Sequence, residues 1–167
     1  MNLDRPTLFR NILVATDFSE VGKAALEAAL LLSSERDTAQ LHVMHVAAPA
    51  GDLLQLTTPD GEQVLSAIEA QQYLNKHVEE ARMSAMLEGE PIESERVAVH
   101  VRAGDTEEEI RVLAGELEVD LLVVGTHGRR GFRHLVLGSV AESVCKKATC
   151  PVLVVRPKRY PARQERT

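Results

Sequence analysis

The sequence has no tryptophan and only five other aromatic residues, Phe9, Phe18, Tyr73, Phe132 and Tyr160. They are scattered, so neighbouring rings cannot assemble the stacking platform that single-stranded nucleic acid needs. Cysteine is scarcer still, with Cys145 and Cys150 alone. Their spacing is neither a redox C-x-x-C pair nor half of a zinc site. A reducing, cytoplasmic setting is the expectation. No apolar run approaches the roughly 18–20 residues that span a bilayer. The N-terminal stretch with Asp4 and Arg5 lacks a signal-peptide layout, so no membrane role is expected. Positive charge is not in surplus either. The formal net charge is −6, which argues against a dedicated nucleic-acid binder. The charge is uneven. Arg156, Lys158, Arg159, Arg163 and Arg166 against Glu165 give the last twelve residues +4, leaving −10 on residues 1–155.

What is present is one domain's worth of chain. At 167 residues, folding should bury about 70% of the unfolded surface, enough for a core without staples. Five short Val/Ile/Leu-rich runs read as strands: Ile12–Ala15, Leu41–Val46, Val97–Val101, Leu121–Val124 and Val152–Val155. Most are continuous rather than alternating, as strands covered on both faces should be. Helical stripes lie between them. Val21, Ala24, Ala25, Ala28, Leu31 and Leu32 form the first. Ala67, Leu74, Val78, Ala81 and Ala85 form the second. Ile110, Leu113, Ala114 and Leu117 form the third, and Val140 and Val144 mark the last. The alternation predicts an α/β fold, a Rossmann-like open parallel five-stranded sheet with helices on both faces. The third strand alternates, as a half-exposed edge does, while the first and fourth are wholly apolar. That gives the order 3-2-1-4-5. The reading divides the chain into an N-terminal extension (1–9), the domain (10–157) and a basic tail (158–167). Ala47 to Gly61, with two prolines and two glycines, reads as a long loop.

The fifth strand is then an edge, yet Val152–Val155 is wholly apolar. A bare apolar edge invites pairing. Pairing with the same strand of a second copy predicts a two-fold homodimer. The alternative is that the basic tail folds back over it.

In open α/β sheets, ligands bind beyond the carboxyl ends of the strands where strand order reverses. Here that crevice lies between the segments after the first and fourth strands. The first is Thr16-Asp17-Phe18-Ser19, and the second is Gly125-x2-Gly128-x9-Gly138-Ser139. Gly125 and Gly128 let the backbone turn and expose N–H groups. Gly138 and Ser139 open the last helix, whose free N–H groups and dipole attract an anion. Arg129, Arg130 and Arg133 lie in the intervening segment, with Lys146 and Lys147 further along the helix. The pattern reads as a polyphosphate cradle made mostly of backbone, or as a plain loop with a helix cap. Asp17 can accept from ribose hydroxyls or help hold a cation. It can equally cap a helix, since Asp17-x-x-Glu20 has capping-box spacing and Ser19 can also cap. His127 can touch phosphate or pack on the sheet. His42, His45 and His100 read as satisfied strand histidines. Glu107-Glu108-Glu109 reads as a solvated first helical turn. There is no P-loop and no G-x-G-x-x-G after the first strand.

At these residues the sequence resembles the universal stress protein family, over about Arg10 to Pro157. The segments that carry the resemblance are Ile12–Ser19, Leu41–Val46, Asp120–Gly128, Gly138–Glu142 and Cys150–Val155. The resemblance implies the 3-2-1-4-5 sheet and dimerisation through the fifth strand. It places the chain with the branch that binds ATP, with AMP or ADP as related ligands. Asp17 would meet the ribose or base region. Val46, at the end of the second strand, would give backbone contacts to adenine. Gly125, Gly128, Gly138 and Ser139 would meet ribose and phosphates, with Val124, His127, Arg129 and Val140 as neighbours. Protein metal ligands are not implied, though Mg2+ can bridge the phosphates. Ala15 departs from relatives that carry proline there.

The function expected is that of a dimeric, nucleotide-responsive stress regulator acting on an unidentified protein partner. No nucleophile or paired base is visible, so catalysis is not expected beyond slow hydrolysis of bound ATP. The alternative is a nucleotide-free dimeric interaction module. Nucleotidyl-transferase and adenylating-ligase signatures are absent.

Overall fold

The computed structural model describes residues 9–35, 38–85, 92–126 and 137–157. Along them run β1 (Asn11–Ala15), α1 (Glu20–Ser34), β2 (Gln40–Ala50), β3 (Leu53–Thr58) and β4 (Gly61–Leu65). They are followed by α2 (Ala67–Ala85), β5 (Val97–Ala103), α3 (Thr106–Glu116), β6 (Leu121–Gly125), α4 (Ser139–Lys147) and β7 (Val152–Val155). β1 is central. Ile12 pairs in parallel with Leu41 of β2 on one side and Leu121 of β6 on the other. β5 pairs with β2 and β7 with β6, both parallel. The five parallel strands therefore run β5-β2-β1-β6-β7, the order expected from the apolar runs.

The sheet buries both faces, which is why these strands read as unbroken apolar runs. Ile12 and Val14 join one core with Ala25, Leu26, Ala29 and Leu30 of α1 and Leu74 and Val78 of α2. Leu13 points the other way, into a second core with Ile110 and Leu113 of α3 and Ala141 and Val144 of α4. Both faces must be apolar, so alternation disappears from the sequence.

Two expectations need correction. First, Ala47–Gly61 is not a loop. β2 continues to Ala50, and β3 and β4 add an antiparallel hairpin, making seven strands among the described residues. The two prolines and two glycines are mostly turn punctuation. Gly51-Asp52 turns β2 into β3, and Pro59-Asp60 turns β3 into Gly61, whose φ of +118° suits glycine. Leu54, Leu56 and Leu65 face the α1/α2 core, while Leu53 and Val64 face outward. Second, the buried stripe of α1 is Gly22, Ala25, Leu26, Ala29, Leu30 and Ser33, and Leu31 is exposed. Alanine and leucine occupy most of that helix, so its apolar pattern does not single out one face.

β5 and β7 end the parallel sheet, as expected. Leu153 of β7 is among the exposed large apolar residues. No helix among the described residues is long and apolar enough to cross a membrane.

Candidate functional site

The segment after β1 is fastened to β2. The Thr16 amide donates to the Met44 carbonyl at 2.9 Å, extending the β1–β2 pairing by one bond. The Thr16 carbonyl accepts from Nδ1 of the buried His45, also at 2.9 Å, and its hydroxyl oxygen accepts from the Phe18 amide at 3.3 Å. Phe18 has a φ of +61°, unusual for a residue with a side chain. Such a conformation persists where the surroundings over-determine it. Here they do. The Phe18 ring is buried against His45 at 4.4 Å and meets Tyr73 and His77 of α2 edge-on at 5.2 and 5.0 Å.

This anchoring presents Asp17 and Ser19. Ser19 is the N-cap of α1, its hydroxyl oxygen accepting from the Gly22 amide at 3.0 Å. Asp17 braces the cap rather than forming it. Its Oδ1 accepts from the Ser19 amide at 3.1 Å and from the Ser19 hydroxyl at 2.5 Å. Gly22 makes the arrangement possible, because a Cβ there would lie 2.6 Å from Asp17 Oδ1.

The segment after β6 is built the same way. The Thr126 amide donates to the Val155 carbonyl at 2.9 Å, and the Gly138 amide donates to the Thr126 carbonyl at 2.7 Å. The start of α4 is thereby held at the end of β6. Gly138 is the N-cap, and among the described residues no side chain caps the helix start. The first-turn N–H groups thus keep the donor capacity and positive end that suit an anion. Gly125 permits β6 to approach α1, since a Cβ there would lie 2.7 Å from Val21 Cγ1 and 3.2 Å from its carbonyl oxygen. Asp17 and Gly125 thus both press on the first turn of α1, at Gly22 and Val21.

Of the expected site residues, Asp17 follows β1 and Gly125 ends the paired strand β6, while Gly138, with Ser139 next to it, is bonded to Thr126 just beyond Gly125. Val124 is buried with its side chain in the α3/α4 core, and Val140 packs against the same core. Val46 is opposite Arg102 and does not end its strand, because β2 runs on to Ala50. His127, Gly128 and Arg129, with Arg130 and Arg133, lie outside the described residues. Lys146 ion-pairs with Glu142 in the first turn of α4, and Lys147 with Glu107 of α3. His42 and His100 are partnered with each other. The first turn of α3 is capped by Asp105, and Arg111 beside Glu108 holds that carboxyl below its ordinary pKa.

Sequence reasoning missed the Phe18 cluster. Its signal was Tyr73 and His77, four residues apart on one helix, which share a face. It also missed a cleft between α3 and α4, floored by Ile110, Leu122 and Val144 and rimmed by Glu107, Arg111 and Lys147. That cleft lies against a different pair of helices from the crevice.

The profile of the universal stress protein family matches residues 8–156. The chain belongs to the universal stress protein family. It is 33% identical to universal stress protein YxiE of Bacillus subtilis over 160 residues, covering 89% of this chain and all of that one. It is also 33% identical to universal stress protein MJ0577 of Methanocaldococcus jannaschii, covering 90% of this chain and 97% of the relative. Among solved structures, that of MJ0577 superposes with a TM-score of 0.65 at 23% identity, covering 92% of this chain and 99% of the other. A universal stress protein in complex with cAMP gives 0.64 at 21%, covering 90% and 99%. The Archaeoglobus fulgidus protein in complex with dAMP gives 0.57 at 23%, covering 89% and 99%. The universal stress protein fold is thus shared along nearly the whole of this chain.

Proposed function

We propose that this universal stress protein binds an adenine nucleotide in the crevice between the ends of β1 and β6, and acts as a dimeric, nucleotide-responsive regulator. One observation carries the reading: the Gly138–Thr126 hydrogen bond sets the glycine-capped start of α4 against the end of β6. A backbone donor cluster there is suited to phosphate. Two solved relatives, described in complex with cAMP and dAMP, support adenine as the base. In this assignment Gly125, Gly128, Gly138 and Ser139 hold the phosphates. Asp17 faces the ribose, and the backbone at Val46 receives the adenine. Val124, Val140, His127 and Arg129 border the ligand. ATP, ADP and AMP all fit the scheme, and Mg2+ would ride on the phosphates.

The backbone assignment explains how an acidic chain can take a polyanion. A helix start contributes at most ~2 kcal/mol to an anion, so several N–H groups must act together. No residue is assigned as nucleophile or general base, and hydrolysis is at most slow. The dimer is assigned to β7, whose outer edge pairs with no strand among the described residues, and the setting to the cytoplasm. Nucleotide signals to a partner only by binding two conformations unequally.

The test is direct. Freshly purified protein is denatured and the supernatant assayed for adenine nucleotide, and melting is recorded with ATP, ADP and AMP. Saturation at about 100 times Kd adds ~2.7 kcal/mol of stability, a shift of several degrees. If no adenine nucleotide moves the midpoint at millimolar concentration and none is released, the chain is a nucleotide-free interaction module instead.

A further inference from the structure

Away from the crevice, two imidazoles face one another across the edge of the sheet. His42 of β2 and His100 of β5 stand on the α3 side, and Nδ1 of His42 lies 3.1 Å from Nε2 of His100. The ring planes are tilted by 40° with centroids 5.3 Å apart. Both rings are half-buried.

We propose that His42 and His100 form an open chelating site for a late first-row divalent metal ion, with Nδ1 of His42 and Nε2 of His100 as its two protein ligands. The separation of the two nitrogens, now spanned by a hydrogen bond, is one that a metal ion could bridge. With metal–nitrogen bonds of about 2.0–2.1 Å, two ligand nitrogens stand about 2.8–3.0 Å apart at a right angle and about 3.3–3.4 Å apart at the tetrahedral angle. The observed separation falls between these. The strands that carry the rings are rigid. β2 and β5 pair from Leu41↔Val97 to Ala47↔Ala103, so binding need not first assemble the site.

Without metal, one ring donates its N–H to the other. Binding requires that both facing nitrogens offer lone pairs. The bridging proton therefore moves to the outer nitrogen of the donor ring, and two neutral rings bind the ion with no net proton release. Neutral imidazole is the ligating form.

The donor set decides the metal. Two imidazoles favour copper, nickel and zinc, with Cu2+ bound most tightly, and disfavour Mg2+ and Ca2+, which take oxygen. Among the described residues no group of three or more His, Cys, Asp or Glu is arranged to hold a metal. The remaining coordination positions thus fall to water or an external ligand. The nearby charges nearly cancel, since Arg102 is ion-paired with Glu116 of α3 at 2.5 Å. This site is independent of any Mg2+ carried by nucleotide phosphates.

The test is calorimetric titration of the full chain, free of nucleotide, with Cu2+, Ni2+, Zn2+ and Mg2+. The expected result is one ion per chain, Cu2+ tightest and Mg2+ not bound. His42→Gln and His100→Gln should each weaken Cu2+ at least about tenfold, while His77→Gln should leave it unchanged. Histidine-selective NMR of the wild-type chain guards against a variant that fails to fold. Sub-stoichiometric Zn2+ should move the His42 and His100 ring signals together, ahead of the other histidines. Binding undiminished in both variants, no binding at all, or shifts confined to other histidines would each overturn the proposal.

Discussion

The Gly138 amide and the Thr126 carbonyl meet at 2.7 Å, so the two ends of the glycine-spaced segment close on each other. Gly138 does so with a φ of −75° and ψ of 160°, ordinary extended backbone that any residue adopts. The backbone there does not itself demand glycine, and a side chain would stand at the start of α4 where phosphate is assigned. Gly138→Val should therefore unfold within about 1 kcal/mol of the wild type while losing the nucleotide-induced melting shift. Gly125→Ala should instead lower stability before any ligand is added, because its Cβ collides with Val21. Overpacking of that kind costs about 1–3 kcal/mol, visible in urea unfolding without any ligand. Equal destabilisation by the two substitutions would make both glycines structural.

Asp17 and Ser19 can be separated by experiment. Ser19→Ala removes the acceptor for the Gly22 amide, and loss of an N-cap costs about 1 kcal/mol. Asp17→Asn keeps an oxygen that can still accept from the Ser19 amide and hydroxyl, so it should cost less stability. If Asp17 also meets the ribose, Asp17→Asn should weaken nucleotide by more than Ser19→Ala does. Unfolding free energy and nucleotide Kd, measured on both variants, decide this. Affinity that merely follows stability would confine Asp17 to bracing the cap.

The parallel sheet was legible because burial on both faces leaves a strong mark. Ile12, Leu13 and Val14 are apolar in succession because they serve two different cores. The hairpin left a fainter mark. Its strands are short, and Pro59, Gly51 and Gly61 sit at turns while Pro49 lies inside β2, so composition alone resembles a loop. The legible signal was Pro59-Asp60-Gly61 flanked by inward Leu54, Leu56 and Leu65. In the crevice, Asp17 and the glycines were legible from position at the strand-order reversal. Phe18 was not, since its partners His45, Tyr73 and His77 come from β2 and α2. A tertiary cluster of that kind has no local periodicity.

Gly61 provides a test of the hairpin. Its φ of +118° strains any side-chain-bearing residue. Gly61→Val should cost about 1–3 kcal/mol locally, and amide exchange should quicken over Leu53–Leu65. Since Leu56 is fully buried, some loss of global stability should follow. Unchanged exchange in that segment would mean that the turn tolerates another geometry.

The assigned dimer predicts a specific sensitivity at β7. Leu153 is exposed on this edge strand, so a charged residue can be hydrated there in the monomer. Leu153→Lys should leave the monomer's unfolding within about 0.5 kcal/mol, as surface substitutions usually do. In a paired edge, two copies would bring like charges together in an apolar strand and disfavour association. Light scattering on a sizing column should then read one chain where the wild type reads two. A Leu153→Lys variant that remains dimeric would move the interface elsewhere.

Stability should also fall on acidification, through His77. This ring sits edge-on to Phe18 with its Nε2 buried and, among the described residues, without a hydrogen-bond partner. Burial pushes its pKa below the ordinary value near 6.5, with Glu80 pulling weakly upward and Lys23 weakly downward. The unfolded chain therefore takes up this proton at a higher pH than the folded chain does. Wherever the unfolded state binds more protons, stability rises with pH. The contribution is complete above the unfolded value and is lost as pH falls from about 6.5 through the lower folded value. Melting should be lower at pH 5.5 than at pH 7.5. His77→Phe keeps an aromatic ring against Phe18 while removing the titration, so it should flatten this part of the profile. Because Phe18 fixes the segment that carries Asp17, nucleotide affinity should weaken over the same interval in the wild type and less in His77→Phe. A pH profile identical in the two proteins would place the sensitivity on another group.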